Sequence, residues 1–225
     1  YYWTAVNQRP QSLKNAAMLR IALIRAPWRQ LASKPTDPVL VRQLVAHDDF
    51  EIAHRLVGAL GPPKPSKRTG ALLVNADFSK TPAFPPFDWA LASSGNLGAS
   101  IDAPDRQLVI SAIPGAYGAA ARQLVRLEPG NYEFGWKLSS NEPFPKGTLS
   151  ASLRCADAGA KMSIQPVDLV AGEHSHIFAV SSSSNCQWFW LGIDANVPDD
   201  GLGFDAQLAP VRLIKVSEGA RAAVA

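Results

Sequence analysis

The chain reads as mainly β, an antiparallel sandwich preceded by a small helical segment, and three observations predict this. Residues 123–136 alternate apolar side chains on either side of Glu128-Pro129-Gly130-Asn131. There Pro presets φ and the following Gly accepts a positive one, so the stretch is strand, turn, strand. Short apolar runs then recur roughly every ten residues between 71 and 216, separated by Gly, Pro, Ser and Asn, the cadence of a sandwich. Residues 11–60, by contrast, carry apolar side chains at helical spacing.

The helical part divides into three. Ala17, Leu19, Ile21, Leu23 and Ile24 form the first run, ended by Pro27. Thr36-Asp37-Pro38 marks a second start, with a capping side chain ahead of a Pro in the first turn, and Val39, Leu40, Leu44 and Val45 follow. Asp48 and Asp49 precede a third segment from Phe50 to Val57, bounded by Gly58 and Gly61. Residues 61–70 hold three prolines, two lysines and an arginine, the composition of a stiff solvated linker, and the domain boundary is placed there. The organisation is therefore 1–60 helical, 61–70 linker, 71–216 sandwich and 217–225 a frayed Ala-rich tail.

Within the sandwich, Leu72-Leu73-Val74 is expected to open as a strand, with a proline-rich loop leading on to Phe87-Asp88-Trp89-Ala90-Leu91. Further strands are expected at 108–110, 149–155, 162–166, 176–180 and 186–193, with 204–216 closing the fold. In the run 186–193, Trp188 and Trp190 share one face and Phe189 the other.

Charge and cysteine content bound the function. Residues 1–70 hold 11 Lys/Arg against 4 Asp/Glu, and residues 71–225 hold 11 against 15, so the net +3 conceals a basic first part. That excess reads as a solvated helix surface, with an acidic partner or an anionic membrane as the alternative. No run approaches the ~20 apolar residues of a membrane span. The opening Tyr1-Tyr2-Trp3 is no signal peptide and reads as a cut inside a longer chain. Nucleic acid is excluded as a partner, since neither an Arg/aromatic signature nor zinc-finger spacing is present. Cys155 and Cys186 suit a disulfide in an exported protein, the alternative being two buried thiols.

The order of the β elements resembles a known family. "NADF … FPPFDWAL" at 75–91, "LVRLEPGNYEFGWKL" at 124–138 and "FDAQLAPVRL" at 204–213 resemble galactose-binding-like jelly rolls, the fold of many carbohydrate-binding modules. "SLRC" with "CQWFWLGI" is similar to the C-terminal domain of bacterial exported tetratricopeptide-type proteins of surface-polysaccharide clusters. The helices at Asn15–Pro27 and "DDFEIAHRLVGAL" resemble terminal tetratricopeptide helices. The resemblance implies a non-catalytic module of the cell envelope, periplasmic or extracellular, tied to exopolysaccharide assembly or export. A polysaccharide ligand and a protein partner on the helices go with it. The rival reading is a structural assembly protein that uses both parts as docking surfaces. Such modules often hold a structural calcium; this sequence departs from that pattern, keeping Asp205 but placing Ser79 where an acidic ligand is usual, with Asp199 and Asp200 left as oxygen donors, so no calcium is expected. The chain is otherwise expected to hold no cofactor.

A sugar site needs flat rings and a few polar groups, and the ring candidates are Trp89, Trp136, Trp188, Trp190, Tyr117 and Tyr132. Tyr117, between glycines in 114–118, is the ring expected to be exposed. Two phases stand for the tryptophan pair. With Phe189, Leu191 and Ile193 in the core, Trp188 and Trp190 form an outward platform; in the opposite phase they are core. The ligand-binding set is thus Tyr117, Trp188 and Trp190. His174 and His176 share a strand face without a third metal ligand, and Glu128, Glu133 and Glu142 form no recognisable acid/base pair. No nucleophile elbow, phosphate loop or dinucleotide fingerprint is present, and no enzyme is expected.

Overall fold

The computed structural model describes residues 10–25, 36–61, 72–157, 163–182 and 185–216. Most of the expected linker, and the tail at 217–225, lie outside the described residues. Among the described residues the fold is mainly β, two antiparallel sheets with three helices at the N-terminal side. The helices are α1 (Pro10–Arg25), α2 (Asp37–Ala46) and α3 (Phe50–Leu60). The strands are β1 (Ala90–Leu91), β2 (Ser93–Ser94), β3 (Leu97–Asp102), β4 (Gln107–Ala112), β5 (Tyr117–Arg126) and β6 (Gly130–Ser140). Then come β7 (Leu149–Cys155), β8 (Ser163–Asp168), β9 (Gly172–Val180), β10 (Trp188–Asn196), β11 (Phe204–Leu208) and β12 (Arg212–Val216).

One sheet runs β1-β5-β10-β7-β8, with β10 at its centre. The other runs β12-β6-β11-β4-β3-β2, with β9 pairing β6. Its strand β6 sends Tyr132, Phe134, Trp136 and Leu138 inward, and all four are buried. From the facing sheet, β10 sends in Phe189, Leu191, Ile193 and Ala195. The hydroxyl of Tyr132, in an apolar setting that raises its pKa by desolvation, donates to the Glu128 carbonyl at 2.6 Å and closes the β5–β6 turn. The closing run divides into β11 and β12, since Pro210 between them has no N–H to give a ladder.

Leu72-Leu73-Val74 forms turns and bends instead of the expected strand. The reason is the buried Gln123 of β5. Its amide receives the Val74 N–H at 3.0 Å and donates to the Val74 carbonyl at 2.9 Å, so those backbone groups bond a side chain and not a ladder. Asn75 and Phe78 then take positive φ, which breaks extension. A second correction falls on α2. Its start lies at Thr36, but no capping hydrogen bond runs from that side chain. The helix is held by its neighbour instead: Arg20 of α1 grips Asp37 through two bonds of 2.7 Å in a buried fork that raises the arginine pKa. Helix α3 runs through Gly58 and ends at Gly61, which adopts the left-handed conformation of a C-terminal cap.

The helices lie on the sandwich. Phe50, Ala53, Leu56 and Val57 form the buried stripe of α3, and their cluster includes Phe87, Leu124 and Trp188 from the β part. Phe189, Leu191 and Ile193 do enter the core, so Trp188 and Trp190 point outward; at Trp188, however, outward means into the helices. Its ring is 5% exposed and sits 6.2 Å from Phe50, 5.3 Å from His54 and 5.7 Å from Phe87, centroid to centroid. Trp188 is therefore removed from the ligand-binding set, because its ring is almost wholly packed into the helical cluster. Part of the His54 ring is drawn from water against these aromatics. That desolvation lowers its pKa, with Glu51 opposing and Arg126 assisting.

Cys155 and Cys186 form a disulfide with a Cα separation of 6.0 Å. It joins the end of β7 to the approach of β10. The same loop presents Asp157, which accepts from the Gln187 and Trp188 N–H groups at 2.8 and 3.2 Å, while Ala156 N–H donates to the Trp188 carbonyl at 2.7 Å. The backbone beneath Trp188 is thus held on several sides.

Three outcomes are expected. Replacing both cysteines by serine lowers unfolding stability by ~3–4 kcal/mol on the loop-entropy account, since 31 residues separate them; chemical denaturation checks this, and an unchanged midpoint and slope refute it. Trp188→Ala costs ~3–5 kcal/mol, as for a truncated buried aromatic, and a change below ~1 kcal/mol means the helical cover is not closed in solution. The lowered His54 pKa means the folded state takes up its proton less readily than the unfolded state. Stability from this group is complete above the ordinary histidine value of 6.5 and is lost as pH falls from there through the lowered folded value. The drop in Tm between pH 7.5 and 5.5 should be smaller in His54→Gln than in the wild type, and equal drops refute the assignment.

Candidate functional site

Beyond Trp188 the outer face of the five-stranded sheet continues past the helices as an open lane. Strand alternation places Trp190, Gly192, Asp194 and Asn196 of β10 along its middle. On one side the register sets Leu124 against Trp190, Arg122 against Gly192, Ala119 against Asp194 and Tyr117 against Asn196. On the other it sets Arg154 against Trp190, Ser152 against Gly192 and Ser150 against Asp194. A bulge between Ile193 and Asp194 keeps Asp194 on the outer face while the buried Ala120 takes up the extra residue in β5. From Trp190 to the level of Tyr117 is six residues along β10, or ~20 Å at ~3.3 Å per residue.

The two ends carry the rings. Trp190 is half-buried, its inner edge against the helical cluster and the Arg122 guanidinium 4.8 Å from its ring centroid. Tyr117 is 84% exposed. It stands at the start of β5, just after the turn in which Gly115 adopts a positive φ. An added Cβ at Gly115 would lie 2.7 Å from the Asp199 carboxylate, so this turn admits no side chain. Between the rings, Asp194 accepts from the Ser152 hydroxyl and from Arg154 Nη2, the latter at 2.7 Å. Both bonds fall on Oδ2, leaving Oδ1 beside Gly192 as an acceptor. Gly192 matters here for its missing side chain. A Cβ there would come within 3.1 Å of both Ser152 Oγ and Asp194 Oδ1, so glycine lets these two side chains close directly on the strand backbone. Rings at the ends with hydroxyl, amide, carboxylate and guanidinium groups between them can stack on apolar ring faces and bond hydroxyls.

The remaining ring candidates are structural. Trp89 is fully buried and donates to the Asn75 carbonyl at 3.1 Å; Tyr132 and Trp136 lie in the core between the sheets. Asp88 is also buried, which raises its pKa by desolvation, and it accepts from the Ala83 and Trp89 N–H groups to brace the loop that delivers Phe87 to the helices.

Of the positions weighed for calcium, Asp205 accepts from Ser111, Ser79 donates to Asp77 at 3.0 Å, and Asp199 abuts Gly115. Asp205, Asp199 and Asp200 form no cluster of ligand atoms among the described residues, so the residues present do not fit the cation as a set. Among the described residues the one cluster of three metal-competent side chains is Cys155, Asp157 and Cys186, whose sulfurs are bonded to each other. His174 and His176 both lie on β9, where His174 sits 5.7 Å from the Trp136 ring and 2.9 Å from the Ala171 carbonyl. His176 borders an apolar crevice with Phe134, Ile164, Val167 and Phe178. A second concavity, of about 450 Å³, opens between α3 and the disulfide loop; it is lined by Asp48, Glu51, Arg126, Asp157, Asn185 and Gln187, with Phe50 and Trp188 also bordering it.

Arg122, Ser152, Arg154 and Asp194 were not among the residues singled out from sequence. Arg122 and Asp194 had a signal in being two residues from Leu124 and four from Trp190, in the outward phase. Ser152 and Arg154 had none, since only the β7–β10 register brings them to the lane.

No family model matches the chain, and no curated protein matches it. Among solved structures, it is similar to one described as CBM4, at 17% identity and TM-score 0.46 over 64% of this chain and 99% of the other. A second is TmCBM61, solved in complex with β-1,4-galactotriose, at 14% identity and TM-score 0.39 over 65% and 99%. A third is the enzymatically active domain of bacteriophage CBA120 tailspike protein 4, at 14% identity and TM-score 0.40 over 65% and 22%.

Proposed function

We propose that this chain is a carbohydrate-binding module that engages a polysaccharide along the outer lane of its five-stranded sheet. The observation that carries this is the placement of Trp190 and Tyr117 on one open face, with Arg122, Ser152, Asp194 and Asn196 between and beside them. A shallow lane of this kind buries little of each sugar, so binding is weak per unit and gains strength by repeated engagement along a polymer. The role is binding and not catalysis. Asp194, the carboxylate in mid-lane, is engaged on Oδ2 by Ser152 and Arg154 and has no second carboxylate paired with it in the lane. The disulfide suits an oxidising compartment, and the module is assigned to the periplasmic or extracellular side of a bacterial envelope, in exopolysaccharide assembly or export.

A second reading, docking of a protein partner by tetratricopeptide-type helices, is favoured by the exposed apolar side chains Met18 and Leu19 on α1 and Val39 on α2.

Tyr117→Ala should reduce retention on a polysaccharide several-fold in affinity electrophoresis while leaving Tm unchanged, because its ring packs on nothing that folding needs. Trp190→Ala should reduce retention more. Failure of the wild type to be retained by any of a panel of acidic and neutral bacterial polysaccharides, at millimolar sugar, would replace this reading with the docking one.

A further inference from the structure

We infer that the polysaccharide taken by this lane is anionic, carrying carboxylate or sulfate groups, and that Arg122 recognises the anion beside Trp190. The inference rests on the carbohydrate reading and adds its ligand class. Three arginines lie on this face, and two are matched. Arg126 faces Glu51 of α3 at 3.5 Å, and Arg154 holds Asp194 at 2.7 Å. Arg122 meets no carboxylate among the described residues; its close partner is the ring of Trp190. A guanidinium laid on an indole keeps its in-plane N–H groups directed outward, and that planar fork fits the two oxygens of a carboxylate or sulfate.

The surroundings specify where the anion goes. Arg122 stands opposite Gly192, so no side chain at that register position competes for the guanidinium. Asp194 Oδ1 lies beside Gly192 and repels an anion placed there, but it accepts from a sugar hydroxyl. The favoured occupant therefore presents its oxyanion toward Arg122 and Trp190 and a hydroxyl toward Asp194. A neutral polymer meets the same lane less well, because it offers the guanidinium of Arg122 no charge-assisted partner.

The test is affinity electrophoresis of the whole chain through four polymers: polygalacturonate, the same polymer after carboxyl reduction, a sulfated galactan, and polyglutamate as a polyanion without sugar. The wild type should be retained by polygalacturonate or the sulfated galactan about ten-fold more strongly than by the reduced polymer, the scale of one charge-assisted pair. Which of the two is preferred assigns the anion. Arg122→Gln should fall to the level of the reduced polymer, on which it and the wild type should be equal, and Arg122→Lys should recover only part of the loss, since an ammonium lacks the fork. Thermal denaturation of each variant checks that the fold is kept. Equal wild-type retention on native and reduced polymer, with weak binding to the sulfated galactan, overturns the anionic assignment and leaves the carbohydrate reading intact. Retention on polyglutamate as strong as on the acidic sugars also overturns it, as bulk charge attraction. Absence of retention on every sugar polymer overturns both readings.

Discussion

The burial of Trp188 under the helices is the constraint on which the rest of the arrangement depends. A sandwich has two outer faces that ordinarily meet water. Here one end of one face is roofed by α3, and an indole, a leucine and a phenylalanine from the β part complete the helical cluster. None of the three helices exceeds 16 residues, and helices of such length gain most of their stability from an apolar face that is packed. Trp188, Leu124 and Phe87 supply part of that packing, so the helices and the sheet face are mutually dependent.

The same contact divides the face by function. Where α3 lies, Arg126 is drawn to Glu51 and Trp188 is sealed. One residue pair further along β10, the cover ends and Trp190 is half open. In the remainder of the lane the polar side chains bond one another, as Asp194 does with Ser152 and Arg154. The Cys155–Cys186 bond and the Asp157 contacts fix the β10 entrance, and with it the line between covered and open lane. Asp88 does so from the other side by bracing the loop that carries Phe87.

Buried polar groups do similar positioning elsewhere. The Gln123 amide, inside the sandwich, is satisfied by both backbone groups of Val74 and anchors the chain where it enters the β part. The Arg20–Asp37 fork joins α1 to α2. Such pairs specify geometry through direction, which apolar contact cannot.

The mainly β class was legible in sequence because alternation and turn residues act locally. Tyr132, Phe134 and Trp136 alternate around Pro129-Gly130, and a strand results in almost any surroundings. The three helices were legible for the same reason. The outward phase of Trp188 and Trp190 was half legible: Phe189, Leu191 and Ile193 set it, but only if they were the core side. Whether outward meant solvent was not in the sequence at all. A sheet face has no local mark saying that a helix more than a hundred residues earlier will cover it, so Trp188 and Trp190, two residues apart and alike in pattern, meet different ends. The lane depends likewise on register. Arg122, Ser152 and Asp194 come from three strands, and the alignment that gathers them around Gly192 arises only when the sheet forms. Local patterning chose the elements; long-range packing chose which side chains remained free to meet a ligand.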